Sequence, residues 1–305
     1  MSVTRLDCYT YRGIRAARDV SSYFAVTPLS PGHSRHTNSS VGRFVFAGSA
    51  AAREGLGSQV AYRLSLDYFL SGVTSFLSGV RDPVMPHGVS STGAAGAAGH
   101  SLIPGASGAG SSSSDEAAVE LLHDAFRSAN ASVYSFGHKL AAGGRMSASL
   151  IGLVVEGGKL AAGRAGVGSV YLYRDGGLLP FFENPEDSEK IGDASETPDL
   201  QALKRLSFIG ANSVVDVEVA SVDLQPGDIA CVFSRPLTNL NETLLLEGLE
   251  AFEADRVFDG NSGRRRMDVA SMLCKEVFTE PDTLSFATVL RAGPNTIFCD
   301  QIIVE

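Results

Sequence analysis

Tryptophan is absent from this chain of 305 residues, cysteine is limited to four positions, and charged residues make up only 19%. Cys8, Cys231, Cys274 and Cys299 are widely spaced and contain no C-x-x-C pair, which argues against a zinc ribbon, a redox pair or a small disulfide scaffold. In Ile229-Ala230-Cys231-Val232-Phe233 the thiol sits in an apolar run, where cysteine acts as a small buried hydrophobe. The six histidines are dispersed and form no metal-binding helical pair. Apolar runs such as Ser149 to Val155 fall far short of the roughly 20 residues a membrane-spanning helix needs. The opening Met1-Ser2-Val3-Thr4-Arg5 leads into no apolar core with a cleavage site, so the expected location is cytoplasmic, and the sequon Asn130-Ala131-Ser132 carries no meaning. Positive charge is also scarce: 25 Lys and Arg face 34 Asp and Glu, for a net charge of −9, and the only dense basic run is Arg264-Arg265-Arg266. Such a surface is not built to displace counterions from nucleic acid.

Apolar material, in contrast, is ample at 44%, enough for a sizeable core in one domain spanning residues 1–305. Within it, Gly, Ala and Ser supply 21 of the 28 residues from His87 to Ser114. A stretch of that composition cannot bury enough surface to offset its ordering entropy, and it reads as a flexible insertion between two helices. Before it, Leu56, Val60, Leu64, Tyr68, Val73 and Leu77 recur at helical spacing within Arg53 to Leu77. After it, Ser114-Asp115-Glu116 supplies an N-cap with early acids for a helix carrying Val119, Leu122, Phe126 and Val133. From Ser147 the period becomes that of a sheet. Ser149 to Glu156 and Lys159 to Arg164 flank Gly157-Gly158, and Val167 to Arg174 and Leu178 to Phe182 flank Asp175-Gly176-Gly177, which predicts two hairpins. Strands follow at Val214 to Val222 and Ile229 to Ser234 around Pro226-Gly227, a pair suited to a type II turn. Helices are expected at Asn241 to Asp255 and Asp268 to Phe278, and strands at Leu284 to Arg291 and Thr296 to Val304, with early strands near Tyr9 and Phe44 to Ala47. Paired helices between blocks of hairpins indicate an α+β fold, a four-layer αββα sandwich of two antiparallel sheets flanked by helix pairs.

Six segments, in order along the chain, resemble the motifs of the metal-dependent protein phosphatases, the type 2C serine/threonine family. Gly32-His33-Ser34-Arg35-His36-Thr37-Asn38-Ser39-Ser40 resembles G-x-x-R-x-x-N-E-D, and Val45-Phe46-Ala47-Gly48-Ser49-Ala50 resembles V-x-A-D-G-M. Arg145-Met146-Ser147-Ala148-Ser149 is similar to M-G-T-T, and Gly166-Val167-Gly168-Ser169-Val170-Tyr171-Leu172-Tyr173-Arg174-Asp175-Gly176 to G-D-S-R-A-Y-L-Y-R-D-G. Leu224-Gln225-Pro226-Gly227-Asp228 with Ser234-Arg235-Pro236-Leu237-Thr238 is similar to L-x-P-G-D with S-D-G-L-T, and Ser285-Phe286-Ala287-Thr288-Val289 to D-N-x-T-V. Each match alone is weak. Their collinearity over about Leu6 to Arg291 is the specific signal.

The resemblance implies a sandwich whose strand ends hold two divalent cations through aspartates, the metal pair activating water for attack on a phosphoester. At the matching positions this chain has Ser40, Gly48, Arg235 and Ser285, with Ser49 following Gly48. None is a carboxylate. The expectation is therefore a pseudophosphatase, without catalytic residues or metal cofactor, that binds a protein partner, phosphorylated partners included, in signalling. Arg35 matches the family arginine that contacts phosphate, and with Arg235 it forms the candidate anion site; the plainer reading of each is a structural ion pair. An active phosphatase using displaced acids is the alternative, with Asp19, Asp82 and Asp282 the nearest carboxylates, read more simply as solvated loop acids. A third reading is a structural subunit in an assembly. Arg264-Arg265-Arg266 reads as a solvated loop before a docking site, and Ser111 to Ser114 as a spacer before a phosphorylation site.

Overall fold

A computed structural model of the chain describes residues 5–12, 20–27, 43–52, 55–77, 112–140, 146–156, 158–182, 207–234, 237, 242–250 and 286–293. Its elements are β1 (Arg5–Arg12), β2 (Val20–Thr27), β3 (Arg43–Ala51), α1 (Leu56–Leu77), α2 (Ser112–Lys139), β4 (Ala148–Glu156), β5 (Lys159–Ala165), β6 (Ser169–Arg174), β7 (Gly177–Pro180), β8 (Glu218–Asp223), β9 (Ile229–Phe233) and β10 (Phe286–Gly293). They form two five-stranded sheets, β1-β10-β9-β6-β7 and β2-β3-β4-β5-β8, and every pairing is antiparallel. The α+β class with two antiparallel sheets is as expected from the order of motifs.

Alternation along the strands decides what each face buries. Phe44, Phe46, Ile151 and Leu153 of one sheet meet Val170, Leu172 and Val232 of the other in a core between the sheets. The intervening residues Val45, Leu150 and Val154 face α1 and α2, where Phe69, Leu122 and Phe126 complete a second core. Each fully buried side chain of this size contributes about 1.5–3 kcal/mol. α1 starts at Leu56 rather than Arg53, because Gly55, at φ 126°, turns the chain and its carbonyl accepts the first helical bond from Gln59 N at 3.1 Å. α1 has no acid in its first turn and no base in its last, so its stability comes from packing rather than from its dipole.

Two glycines set how closely that helix pair approaches. Gly152 and Gly163 are register partners on β4 and β5. A Cβ on Gly152 would lie 2.3 Å from Phe69 Cζ, and one on Gly163 2.7 Å from Phe126 Cε2. The two rings meet edge to face over this bare patch, with centroids 5.1 Å apart.

On the far face of the other sheet, Tyr171, Cys231 and Phe233 are buried as well. Residues 242–250 are helical, Leu245 and Leu249 are buried, and the Tyr171 phenol donates to Glu242 at 2.8 Å. Burial, then the neighbouring Glu242 carboxylate, raises the Tyr171 pKa and keeps the phenol protonated. The expected helix Asp268 to Phe278 and strand Thr296 to Val304 lie outside the described residues.

Turn chemistry follows the sequence closely. Asp175 and Gly176, at φ 51° and 76°, form a two-residue loop between the partners Arg174 and Gly177. Gly227, at φ 103°, follows Pro226, and Asp228 N closes the turn on Gln225 O at 3.1 Å. Arg174 then joins the two turns: Nε and Nη2 donate to the two carboxylate oxygens of Asp228 at 2.9 and 2.6 Å, and Nη2 also reaches Asp223 O at 2.7 Å.

Some boundaries differ from expectation. β2 is a strand that Val20-Ser21-Ser22-Tyr23-Phe24-Ala25-Val26-Thr27 does not announce, since its apolar residues cluster rather than alternate. α2 begins at Ser112, inside the segment expected to be an insertion through Ser114. β8 begins at Glu218 instead of Val214, which is 74% exposed. The preceding loop is tied to α2 instead: buried Asn130 accepts from Gly210 N and donates to Asn212 O and Ser213 O. That amide is fully committed, so the sequon around it is structural.

Gly152→Ala and Gly163→Ala are each expected to destabilise the fold by about 1–3 kcal/mol through overpacking against a ring, read as a lower urea midpoint. Burial pushes the Cys231 thiol up to about 12. It should therefore resist alkylation at pH 8 in the folded protein and react once the protein is unfolded.

Candidate functional site

Pairing register brings the ends of several strands together. Across one sheet, Gly48, Ile151, Arg164 and Glu218 form a continuous row. Across the other, Ser169 pairs with Phe233 and Phe233 with Ala287. Gly168 joins the two rows, since at φ 134° a Cβ there would lie 2.3 Å from Ile151 Cδ1 and 3.2 Å from Phe233 O. Arg12, paired with Phe286, and Val20, paired with Ala50, end their strands at this same end of the sandwich.

Of the sequence-derived candidates, Gly48 and Ser49 are described. Gly48 shares the strand face of Phe44 and Phe46, which look into the core between the sheets, and it presents no side chain there. Ser49 turns the other way and is wholly buried. Its Oγ lies 2.8 Å from Ser65 Oγ of α1 and 2.8 Å from Ser149 O of β4, while Ser65 Oγ lies 2.8 Å from Tyr62 O. The two hydroxyl protons are shared among these three contacts, two at a time, and the serines act as a staple between helix and sheet. Ser149 Oγ extends it by accepting from Val167 N at 3.1 Å.

Arg35, Ser40, Arg235 and Ser285 lie outside the described residues, as do Asp19, Asp82 and Asp282. Their neighbours are placed. Ser234 follows β9 and is buried, and Phe286 opens β10, so Arg235 and Ser285 are bonded to residues at the Gly48 end. Asp19 is bonded to Val20, whose partner is Ala50. Arg35 and Ser40 belong to the connection between Thr27 and Arg43, which pair with each other at the opposite end of the sheet.

A further residue at this end was not among the candidates. Arg164 faces inward with Leu160 and Ala162, yet it is only 3% exposed. Its Nη2 donates to both carboxylate oxygens of Glu218 at 2.7 Å, Nη1 donates to Gly168 O at 2.9 Å, and the guanidinium carbon sits 4.9 Å from the centre of the Phe182 ring. The sequence signal was an arginine in strand Lys159–Ala165 at the same alternation as the apolar Leu160 and Ala162. Such a charge survives burial only when paired.

The fold is shared with known phosphatases. PppA, a key regulatory component of the T6SS in Pseudomonas aeruginosa, superposes with a TM-score of 0.56 at 17% identity, covering 96% of this chain and 100% of that chain. The Mycobacterium tuberculosis serine/threonine phosphatase PstP/Ppp does so with a TM-score of 0.54 at 17% identity, over 96% and 99% of the two chains. The S. agalactiae serine/threonine phosphatase gives 0.57 at 12% identity, over 95% and 98%. No protein-family model and no curated protein sequence matches the chain. The likeness therefore lies in the fold. Among the described residues, no helix is long and apolar enough to cross a membrane.

Glu218→Ala is expected to cost about 1–2 kcal/mol, because it removes the half-exposed counterion of the buried Arg164 charge. The double variant Arg164→Met, Glu218→Leu should recover most of that loss in the same denaturation experiment.

Proposed function

We propose that this chain, which has the fold of the type 2C serine/threonine phosphatases, is a pseudophosphatase: a catalytically inactive cytoplasmic module that binds a protein partner, phosphorylated partners included, in a regulatory role. Residues 1–305 form one such domain in this reading, with the Gly, Ala and Ser-rich segment as an insertion. Gly48 carries the proposal. β3 delivers bare backbone to the inter-sheet face at the strand end where the resemblance calls for an aspartate, and the next side chain, Ser49, is spent on α1 and β4. Hard divalent cations require several oxygen ligands, largely carboxylate. Ser40, Arg235 and Ser285 supply none at the other matching positions, so this donor set does not suit a metal pair and no hydrolytic step is assigned to it. A regulatory role has company in this fold, since PppA is a regulatory component of its secretion system.

Arg35 and Arg235 remain the proposed anion-binding groups. A guanidinium offers paired donors to phosphate, and without a metal-activated water a bound phosphoryl group would be held rather than cleaved. One observation favours the alternative of an active enzyme with displaced ligands. Asp19 immediately precedes Val20 in the sequence, and Val20 pairs with Ala50, two residues from Gly48.

Purified protein is expected to bind neither manganese nor magnesium by calorimetry and to leave para-nitrophenyl phosphate intact with manganese present. Hydrolysis abolished by chelator would overturn the proposal, and its further loss in Asp19→Asn would assign it to the displaced acid. For the anion site, the double variant Arg35→Ala, Arg235→Ala should bind phosphopeptides at least about tenfold more weakly than the parent; equal binding would remove those arginines from the reading.

A further inference from the structure

β9 closes at Phe233, which pairs with Ser169 on one side and Ala287 on the other, so the chain leaves this strand at the Gly48 end from a residue held by both neighbours. The next residue, Ser234, is buried, Leu237 has no exposed surface, and residues 242–250 are helical with Leu245 and Leu249 buried. Arg235 follows the first of these anchors and precedes the second by two positions. From Ser234 to Leu237 the chain spans at most about 11 Å, so the segment that carries the arginine is short and fixed at both ends.

Tyr171 of β6 meets the connection at two points. Leu172 faces the core between the sheets, and by alternation Tyr171 projects from the opposite face, together with Ser169 and its own register partner Cys231. Its phenol donates to Glu242 Oε1 at 2.8 Å, and the Leu237 backbone and the Ser169 side chain hydrogen-bond to the same group. A single hydroxyl on the sheet therefore engages residues 237 and 242. The ring that carries it is buried and packs edge to face on Phe233, with centroids 6.3 Å apart, so the hydroxyl projects from a rigid support. Apolar contact places the Leu237 side chain without directing its backbone, whereas a hydrogen bond sets where the main chain points. A charge carried between strand and helix gains affinity for a ligand when it is ordered beforehand.

We propose that Tyr171 is the positioning residue of the anion site: its phenol fixes the connection from β9 to the helix at 242–250 and so presents Arg235 in one place. This rests on the reading of Arg235 as an anion-binding group and adds the sheet residue that sets it.

Tyr171→Phe keeps the ring and removes only the hydroxyl. In hydrogen exchange of the full chain, the Leu237 amide should become about three- to tenfold faster in this variant, the factor that one net hydrogen bond supplies, while the amides of Ile229 to Phe233 keep their parent rates. Glu242→Gln retains an acceptor for the phenol and should leave Leu237 as slow as in the parent. Binding of inorganic phosphate, followed by chemical-shift titration, should weaken at least about threefold in Tyr171→Phe. The same substitution made in Arg235→Ala should cause no further loss, because the group it positions is already gone. An unchanged Leu237 amide overturns the proposal. Equal loosening of β9 also overturns it, since the phenol then supports the sheet in general, as does an equal loss of phosphate binding with and without Arg235. If Arg235→Ala binds phosphate as tightly as the parent, the anion reading itself fails, and the role given to Tyr171 fails with it even where Leu237 loosens.

Discussion

The glycine pair Gly152 and Gly163 fixes how far α1 and α2 stand from the sheet, and much of the remaining geometry depends on that distance. Without side chains at these two partners, Phe69 and Phe126 seat directly on backbone. Ser65 lies one helical turn before Phe69 on the same face of α1, so the depth of the ring also sets the reach of the serine. That reach is what places Ser65 Oγ 2.8 Å from Ser49 Oγ. The orientation of the β3 end, with Gly48 inward and Ser49 outward, is thus held by packing that begins four residues along a helix.

Charge stabilises the sandwich at both ends, in two different ways. At the far end Arg174 grips Asp228, a buried carboxylate that also accepts from Gln225 N at 2.7 Å, and the pair links a hairpin of one sheet to a turn leaving the other. Hydrogen bonding to Asp228 raises the Arg174 pKa, so its charge is held across the accessible pH range. Both residues come from segments that resemble family motifs, R-D-G and L-x-P-G-D. At Asp228 a carboxylate holds the fold, whereas Gly48 presents no side chain at the opposite end. Removing one member of a buried pair costs about 3–5 kcal/mol, but a surface or ligand-binding acid can go without such a loss. A fold-holding carboxylate such as Asp228 is therefore costly to lose, in keeping with the readable turn at Leu224 to Asp228.

Much of the fold was legible because local chemistry and tertiary demand agreed. Asp175-Gly176 and Pro226-Gly227 specify turns through backbone conformations few other residues adopt, and both form as read. The helices declare themselves through spacing, as in Leu122, Phe126 and Val133 of α2. β2 was illegible because an edge strand needs no strict alternation, and its pairing partner β3 supplies what its own pattern lacks. The start of β8 was obscured because Val214 to Val217 has strand-like composition, while Asn130 on a distant helix captures the preceding loop. At the candidate site, Gly48 and Ser49 were found by motif order, but which face each occupies follows only from the register of β3 with β4. Arg164 was overlooked because its partners, Glu218 and Gly168, lie on another strand and a turn, and no motif joins them.

Arg164 also constrains what the Gly48 end can do. Its guanidinium is committed to Glu218, which is 45% exposed, and to the carbonyl of Gly168. The pair is close to neutral as a unit, so it lends little field to a ligand; its effect is to hold the Gly166 to Gly168 turn against the sheet from which Arg164 projects. Gly168 leaves no room for a side chain beside Ile151, and Gly166, at φ 86°, none beside Ser149. This turn is consequently fixed by sterics from one side and by a buried cation from the other.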